Sequence, residues 1–147
     1  MDGISVRLAE TEDLETIAGL LCQLSPPKAG ETLDAEAGRK ILQSIINNPD
    51  YCLCVAETVG QVVGTALLLV QLNLSHGGNP YAHVENVVTD ISLRGRGIGQ
   101  AMMNFLVSEA RRRDCYKVIL CCEAKNILFY EHCGFNLTGE VEMRFDM

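Results

Sequence analysis

The sequence predicts a mixed α/β (α+β) domain built around one central sheet flanked by helices. Apolar residues form short strand-like runs such as "ISVRLA" and "QVVGTALLLVQL". Other segments repeat apolar residues at helical spacing. The two kinds of segment follow one another in the order β-α-α-β-β-β-α-β-α-β, which is typical of helices packed on a mixed sheet.

The first half of the chain predicts a strand, two helices and a hairpin. Residues 4–9 alternate as a strand, and Thr11 is a candidate N-cap for a helix that carries apolar residues as far as Leu24. The segment "SPPKAGE" ends that helix, and a second helix is predicted over about 34–46. Strands at 51–57 and 61–72 follow, joined through "TVG" as a hairpin.

The second half predicts further elements around a glycine-rich turn. A strand at 82–90 leads into "LRGRGIG", which is followed by a helix over about 98–113. A strand at 116–122, a helix at 126–133 and a last strand near 140–146 complete the pattern. That last strand would leave an open sheet edge in a monomer, so we expect a homodimer with two-fold symmetry.

Composition limits the classes of function. The 147 residues are 48% hydrophobic and 21% charged, which fits one domain over 1–147 with a single buried core. A formal net charge of −7 argues against non-specific nucleic-acid binding, which requires a basic surface. No apolar run approaches the roughly 18 residues of a membrane span, and no secretion signal is evident at the N-terminus. We therefore expect a cytoplasmic protein that binds neither nucleic acid nor membranes.

The cysteines and histidines indicate neither a disulfide framework nor a metal site. Seven cysteines cannot all pair within the chain, and most lie in apolar patterns where a reduced thiol is ordinary. No CxxC pair occurs and the three histidines are scattered, so a zinc site has no support. We expect a reducing compartment and no metal cofactor.

The glycine-rich turn is a candidate phosphate site. Closely spaced glycines permit positive φ, and the N-terminus of the following helix offers unpaired N–H groups at the positive end of its dipole. The turn is not a P-loop, because Gly99 is followed by Gln100. The candidate phosphate-binding residues are Arg94, Gly95, Arg96, Gly97, Ile98 and Gly99.

The segment "VVTDISLRGRGIGQAMMNFLVSEA" resembles the acetyl-coenzyme A motif of the GNAT acetyltransferases, in which Arg94, Gly97 and Gly99 match Gln/Arg-x-x-Gly-x-Gly/Ala. The tail "CYKVILCCEAKNILFYEHCGF", followed by "VEMRF", resembles one branch of them, the glucosamine-6-phosphate N-acetyltransferases. The resemblance implies a GNAT fold, acetyl-CoA as co-substrate and direct acetyl transfer to D-glucosamine 6-phosphate. The product would be the N-acetyl sugar phosphate used for UDP-N-acetylglucosamine.

The resemblance also implies roles for residues near the transferred acetyl group. Tyr130 would protonate the departing thiolate, and Asn126, on the same helix face, would contact the cofactor arm. Backbone groups of Val87 and Val88 would hydrogen-bond the pantetheine, with the N–H of Val88 as oxyanion donor. A β-bulge, common in this strand of the family, would change which way the neighbouring side chains point.

Carboxylates are the candidate residues for the acceptor amine. Glu85 is expected to bind sugar hydroxyls or to position a water that takes the amine proton. The branch usually has acids where Asn86 and Cys121 stand, so both positions are expected to line the acceptor site. Glu123 lies two residues from Cys121, on the same strand face, and is the expected replacement for the missing acid.

The phosphate of the acceptor requires a basic group. The branch often has an arginine where Asp146 stands, reaching the sugar phosphate across a dimer. Arg144 lies two residues away and is the expected replacement. Ser25 matches a hydroxyl residue that the family places beside the phosphate.

Two other functions are compatible with these residues. A GNAT enzyme could act on a polyamine, an aminoglycoside or a protein N-terminus, and an acidic chain suits such cationic acceptors. A non-catalytic acyl-CoA-binding module is the alternative from another class. The presence of both Tyr130 and Glu85 disfavours the module, and turnover of any amine would exclude it.

Overall fold

The computed structural model describes residues 3–147, in which five strands form one sheet. The strands follow the order β1-β2-β3-β4-β5 and are antiparallel, except for the parallel pair of β4 and β5. This arrangement confirms the predicted mixed sheet. The strands are β1 (Ser5–Leu8), β2 (Tyr51–Thr58), β3 (Gln61–Gln71), β4 (Tyr81–Thr89) and β5 (Val118–Ile119).

Four α-helices of the described chain cover the two faces of the sheet: α1 (Leu14–Leu24), α2 (Ala35–Asn47), α3 (Ile98–Arg112) and α4 (Ile127–His132). Helix α3 buries Met102, Met103 and Leu106 completely against one face, where aromatic residues of α4 also pack. Ile17 of α1 and Leu42 of α2 pack on the opposite face. Within residues 3–147, no helix has the length and apolar character needed to cross a membrane.

The start of α1 differs from the prediction. Residues Thr11–Asp13 form a 3-10 turn before the helix, so Thr11 is not its N-cap. Arg7 of β1 donates two hydrogen bonds, of 2.8 and 2.9 Å, to the buried carboxylate of Asp13. These bonds hold the pKa of Asp13 below its usual value. The ion pair ties the first turn to the sheet.

The C-terminal segment also differs from the prediction. The expected strand near 140–146 pairs with none of the strands among residues 3–147, and β5 is shorter than expected. Val141, Met143 and Phe145 alternate with polar residues, as a strand requires, but all three are exposed. A strand is defined by its hydrogen-bonded neighbour, and residues 3–147 of a single copy provide none here.

Candidate active site

A slot opens between β4 and β5. The two strands are joined at only two residue pairs, Ala82 with Val118 and His83 with Ile119. Beyond His83, no strand of the described chain pairs with β4 on this side. The later part of β4 therefore presents unpaired backbone groups to the slot, where an extended peptide-like ligand can hydrogen-bond to them.

A β-bulge interrupts the pairing of β3 and β4 beside this slot. Leu67 lies opposite Glu85 and Thr65 opposite Val88, so the two residues between them on β4 oppose one residue of β3. Asn86 takes φ +55, a conformation that asparagine adopts more readily than most residues. It lines a cavity together with Leu67, on the α1–α2 side of the sheet. The predicted bulge is confirmed, and it directs Asn86 to the same side as Glu85.

The strand register decides which backbone groups of β4 face the slot. The N–H of Asp90 donates to the carbonyl of Val63 at 2.8 Å. Val88, two residues before Asp90, lies opposite Thr65, two residues after Val63. Because hydrogen-bonded pairs alternate in an antiparallel ladder, the N–H of Val88 is directed at β3. That of Thr89 is directed at the slot. The register therefore favours Val87 and Thr89 over Val88 as donors to a ligand in the slot.

Val87 and Thr89, on either side of Val88, are the residues that direct their backbone groups to the slot. The sequence prediction missed Thr89, although alternation counted back from the end of β4 points to it. Its carbonyl already accepts a hydrogen bond from Arg94 Nε at 3.4 Å. This contact joins the slot to the glycine-rich turn.

The glycine-rich turn leads directly into α3, as predicted. Gly97 precedes the helix at φ +86 and Gly95 has φ +77, values that glycine adopts without steric cost. Ile98 is buried and anchors the first turn, while Arg94 and Arg96 are exposed. The first N–H groups of this 15-residue helix have no intrahelical acceptors. The predicted residues 94–99 thus form one basic, N–H-rich surface at the helix end, suited to a phosphate.

Helix α4 packs closely against the first turn of α3. A Cβ on Gly99 would lie 2.9 Å from Phe129 Cζ, so a residue larger than glycine would push α4 away. Gln100 Nε2 also donates to the carbonyl of His132 at 3.3 Å. The ring of Phe129 contacts that of Tyr130 edge-on, with 4.9 Å between centroids. These contacts hold Tyr130 next to the turn.

The environment of Tyr130 suits a proton donor. The side chain is half-buried, and burial raises the pKa of its phenol, with smaller effects from Cys122 and Cys133. The phenol therefore keeps its proton at neutral pH. Asn126 is exposed and lies immediately before α4. Because it precedes Tyr130 by four residues, it lies on the same side of the helix as Tyr130.

Two carboxylates lie near Cys121 on the α1–α2 side of the sheet. Desolvation raises the pKa of the Cys121 thiol, and the nearby carboxylates of Glu142 and Glu85 raise it further. A thiol that keeps its proton is a poor nucleophile. Glu142 was not predicted as a site residue, because only the folding of the C-terminal segment brings it to Cys121. It provides an acid close to the position where Cys121 replaces one.

The other predicted acceptor residues do not join this cluster in a single chain. Glu123 is exposed and forms an ion pair with Lys125, with 3.0 Å between Oε2 and Nζ. Arg144 Nε lies 3.0 Å from Asp146 Oδ1, and both side chains are exposed. Ser25 lies at the exposed C-terminal end of α1. The cluster therefore contains Glu85, Cys121 and Glu142, with Asn86 directly following Glu85.

Comparison with known proteins identifies the class. Residues 17–135 match the Acetyltransferase (GNAT) family, and the chain belongs to that family. It is an acetyltransferase, as the resemblance of its sequence implies.

Its relatives include several enzymes with one name. Glucosamine 6-phosphate N-acetyltransferase of Trypanosoma brucei brucei is 35% identical over 98% of this chain and 96% of its own length. A rice enzyme of the same name, from Oryza sativa subsp. japonica, is 36% identical over 88% of this chain and 79% of its own length. The crystal structure of the Arabidopsis thaliana enzyme has a TM-score of 0.85 at 29% identity, covering 98% of this chain and 99% of that one.

The fold itself is shared with enzymes that act on other amines. The structure of an aminoglycoside acetyltransferase from an uncultured soil metagenomic sample has a TM-score of 0.82 at 16% identity. It covers 98% of this chain and 95% of its own. This similarity concerns the fold alone, so the acceptor has to be argued from the residues of the site.

Proposed function

We propose that the protein transfers the acetyl group of acetyl-CoA directly to the amine of D-glucosamine 6-phosphate. The observation that carries the proposal is the position of the slot between two sets of groups. Tyr130 and the glycine-rich turn lie on the α3–α4 side, and the carboxylates lie on the α1–α2 side. The names of the most similar relatives support glucosamine 6-phosphate as the acceptor.

The donor occupies the slot in this proposal. The pyrophosphate binds the N–H groups and arginines of residues 94–99, at the positive end of the α3 dipole. The pantetheine arm runs along the backbone of Val87 and Thr89. The thioester carbonyl then lies at the bulge, where the N–H of Val87 is the oxyanion donor in place of Val88.

The acceptor approaches from the α1–α2 side. Glu85 accepts a proton from the ammonium through a bound water, and Glu142 adds negative charge that attracts the cationic amine. The neutral amine attacks the thioester carbon, so a C–N bond forms and the C–S bond breaks. Tyr130 donates its proton to the departing sulfur, and Cys121 remains a protonated thiol throughout.

A second copy of the chain completes the phosphate site in this proposal. The exposed side chains of Val141, Met143 and Phe145 form an apolar row, and β5 has no neighbour on its outer edge among the described residues. Pairing this segment with another copy buries the row and closes the edge. Arg144 of the same segment then binds the sugar phosphate through two N–H groups.

A thiol-release assay with acetyl-CoA tests the proposed function. The acceptors are glucosamine 6-phosphate, glucosamine, spermidine, kanamycin and a peptide with a free N-terminus. We expect the highest kcat/KM with glucosamine 6-phosphate and at least about a tenfold loss without the phosphate. A higher kcat/KM with another amine would leave the protein an N-acetyltransferase but contradict glucosamine 6-phosphate as its acceptor. Absence of release with every amine would contradict catalysis itself.

A further inference from the structure

An apolar cavity of about 130 Å³ lies between α1, α2 and the sheet. Its floor is formed by Thr65, Leu67 and Asn86, the residues that surround the bulge in β4. No charged residue lines it. Its walls are mostly side chains of the two helices, among them Leu14, Ile17, Ala18, Leu21, Ile41 and Ile45.

The apolar lining of the cavity favours an alkyl group as its ligand. The hydroxyl of Thr65 already donates a hydrogen bond to the carbonyl of Cys54 at 2.9 Å. The amide of Asn86 is then the one polar side chain of the lining that a ligand can meet. A sugar or a phosphate would lose its hydration without replacement in such a space. Apolar cavities of about 150 Å³ stay dry and take up benzene, so a guest of about six carbon atoms fits here.

The cavity lies next to the proposed position of the thioester. Asn86 lines the cavity, and the next residue, Val87, directs its N–H into the slot. Thr65 and Leu67 of the floor lie opposite Val88 and Glu85, on either side of the bulge. An acyl chain that extends from the thioester carbon, away from the sulfur, meets the cavity within one residue of the oxyanion donor.

We propose that this cavity accepts the alkyl chain of acyl-CoA donors longer than acetyl-CoA, up to about six carbon atoms. The proposal rests on the proposed function for the position of the thioester. The chemistry is unchanged: an acyl-CoA and an amine give an amide and the free thiol of CoA. The C–N bond forms as the C–S bond breaks, and no oxidant or reductant takes part.

The test compares acetyl-, propionyl-, butyryl- and hexanoyl-CoA as donors to glucosamine 6-phosphate. Ala18→Leu fills the cavity, Ile45→Ala enlarges it, and Ala37→Leu is the matched control on an exposed position of α2. We expect the wild type to transfer all four groups. Ala18→Leu should lower kcat/KM for hexanoyl-CoA by about tenfold or more and change that for acetyl-CoA less than about twofold. Ile45→Ala should raise the relative rate with hexanoyl-CoA, and Ala37→Leu should change neither.

Two results would overturn the cavity assignment. One is acetyl transfer without any transfer of longer chains by the wild type. The other is equal loss for acetyl- and hexanoyl-CoA in Ala18→Leu. If glucosamine 6-phosphate is not acetylated at all, the proposed function fails, and calorimetry without an acceptor decides about the cavity. If hexanoyl-CoA binds more tightly than acetyl-CoA and Ala18→Leu removes this difference, the cavity assignment is supported. If hexanoyl-CoA binds equally or more weakly, the cavity assignment is contradicted.

Discussion

At the scale of single residues, both Tyr130 and Cys121 keep their protons near the slot. Burial keeps the proton on the Tyr130 phenol, and desolvation and carboxylates keep it on the Cys121 thiol. Only the phenol lies on the side where the CoA sulfur departs in the proposed complex. The protonated Cys121 thiol is a poor nucleophile, which favours direct transfer over an acyl-enzyme at this cysteine.

Tyr130→Phe removes the proton donor and keeps the ring. We expect kcat to fall by about 10²-fold, while KM for acetyl-CoA changes little, because proton transfer contributes in the transition state. Single-turnover kinetics at saturating substrates measures the chemical step. An unchanged rate of that step would return Tyr130 to a packing role against Phe129 and Phe135.

Glu142→Gln tests the acid that folding brings to Cys121, and Glu123→Gln is its matched control two residues after Cys121. We expect Glu142→Gln to raise KM for the amine several-fold, since a cationic acceptor loses a nearby charge. Glu123→Gln should change it less than about twofold, because an exposed ion pair contributes little. The reverse order of effects in steady-state kinetics would restore Glu123 as the acceptor acid.

At the scale of elements, the glycine-rich turn joins three parts of the site. It follows β4, begins α3 and, at Gly99, leaves room for Phe129 of α4. One local sequence pattern therefore positions the candidate phosphate site, the end of the slot and the helix that carries Tyr130. The arrangement depends on backbone conformations that few residues other than glycine adopt.

Gly97→Ala and Gly19→Ala separate backbone strain from added volume. Gly97 has φ +86, so alanine there should lower the free energy of unfolding by about 1–2 kcal/mol and weaken acetyl-CoA binding. Gly19 lies inside α1 with open space around it, so alanine should raise the free energy of unfolding by up to about 1 kcal/mol. Urea titration and calorimetry measure both quantities. Retained affinity in folded Gly97→Ala would move the pyrophosphate elsewhere.

At the scale of the whole molecule, the proposed phosphate site requires a second copy of the chain. Sedimentation velocity at micromolar concentration should give a dimer. Phe145→Glu, which adds a charge to the apolar row, should give a monomer. That monomer should show a raised KM for glucosamine 6-phosphate, as should Arg144→Ala in a dimer that remains intact. A stable wild-type monomer with full activity would contradict this assembly.

Local patterns predicted most of the fold and the elements that carry the candidate site. The glycine-rich turn, the bulge and the start of α4 depend on residues adjacent in sequence, and all three are present. The direction of the Val88 N–H could not be predicted locally, because it depends on the register of Val88 with Thr65 of β3. Glu142 was missed because its proximity to Cys121 depends on the path of the C-terminal segment. Alternation over 140–146 predicted a strand, but pairing also needs a neighbour.

The most direct test of direct transfer to the sugar amine follows the acetyl group itself. Acetyl-CoA labelled with ¹³C at the carbonyl is mixed with the protein and glucosamine 6-phosphate, and NMR follows the label while intact mass spectrometry examines the protein. We expect the label to appear as an amide on the sugar phosphate, with an equal amount of free CoA and no acetylated protein at any time. Label held on a cysteine before the amide forms, or no amide on the sugar phosphate, would contradict direct transfer to the sugar amine.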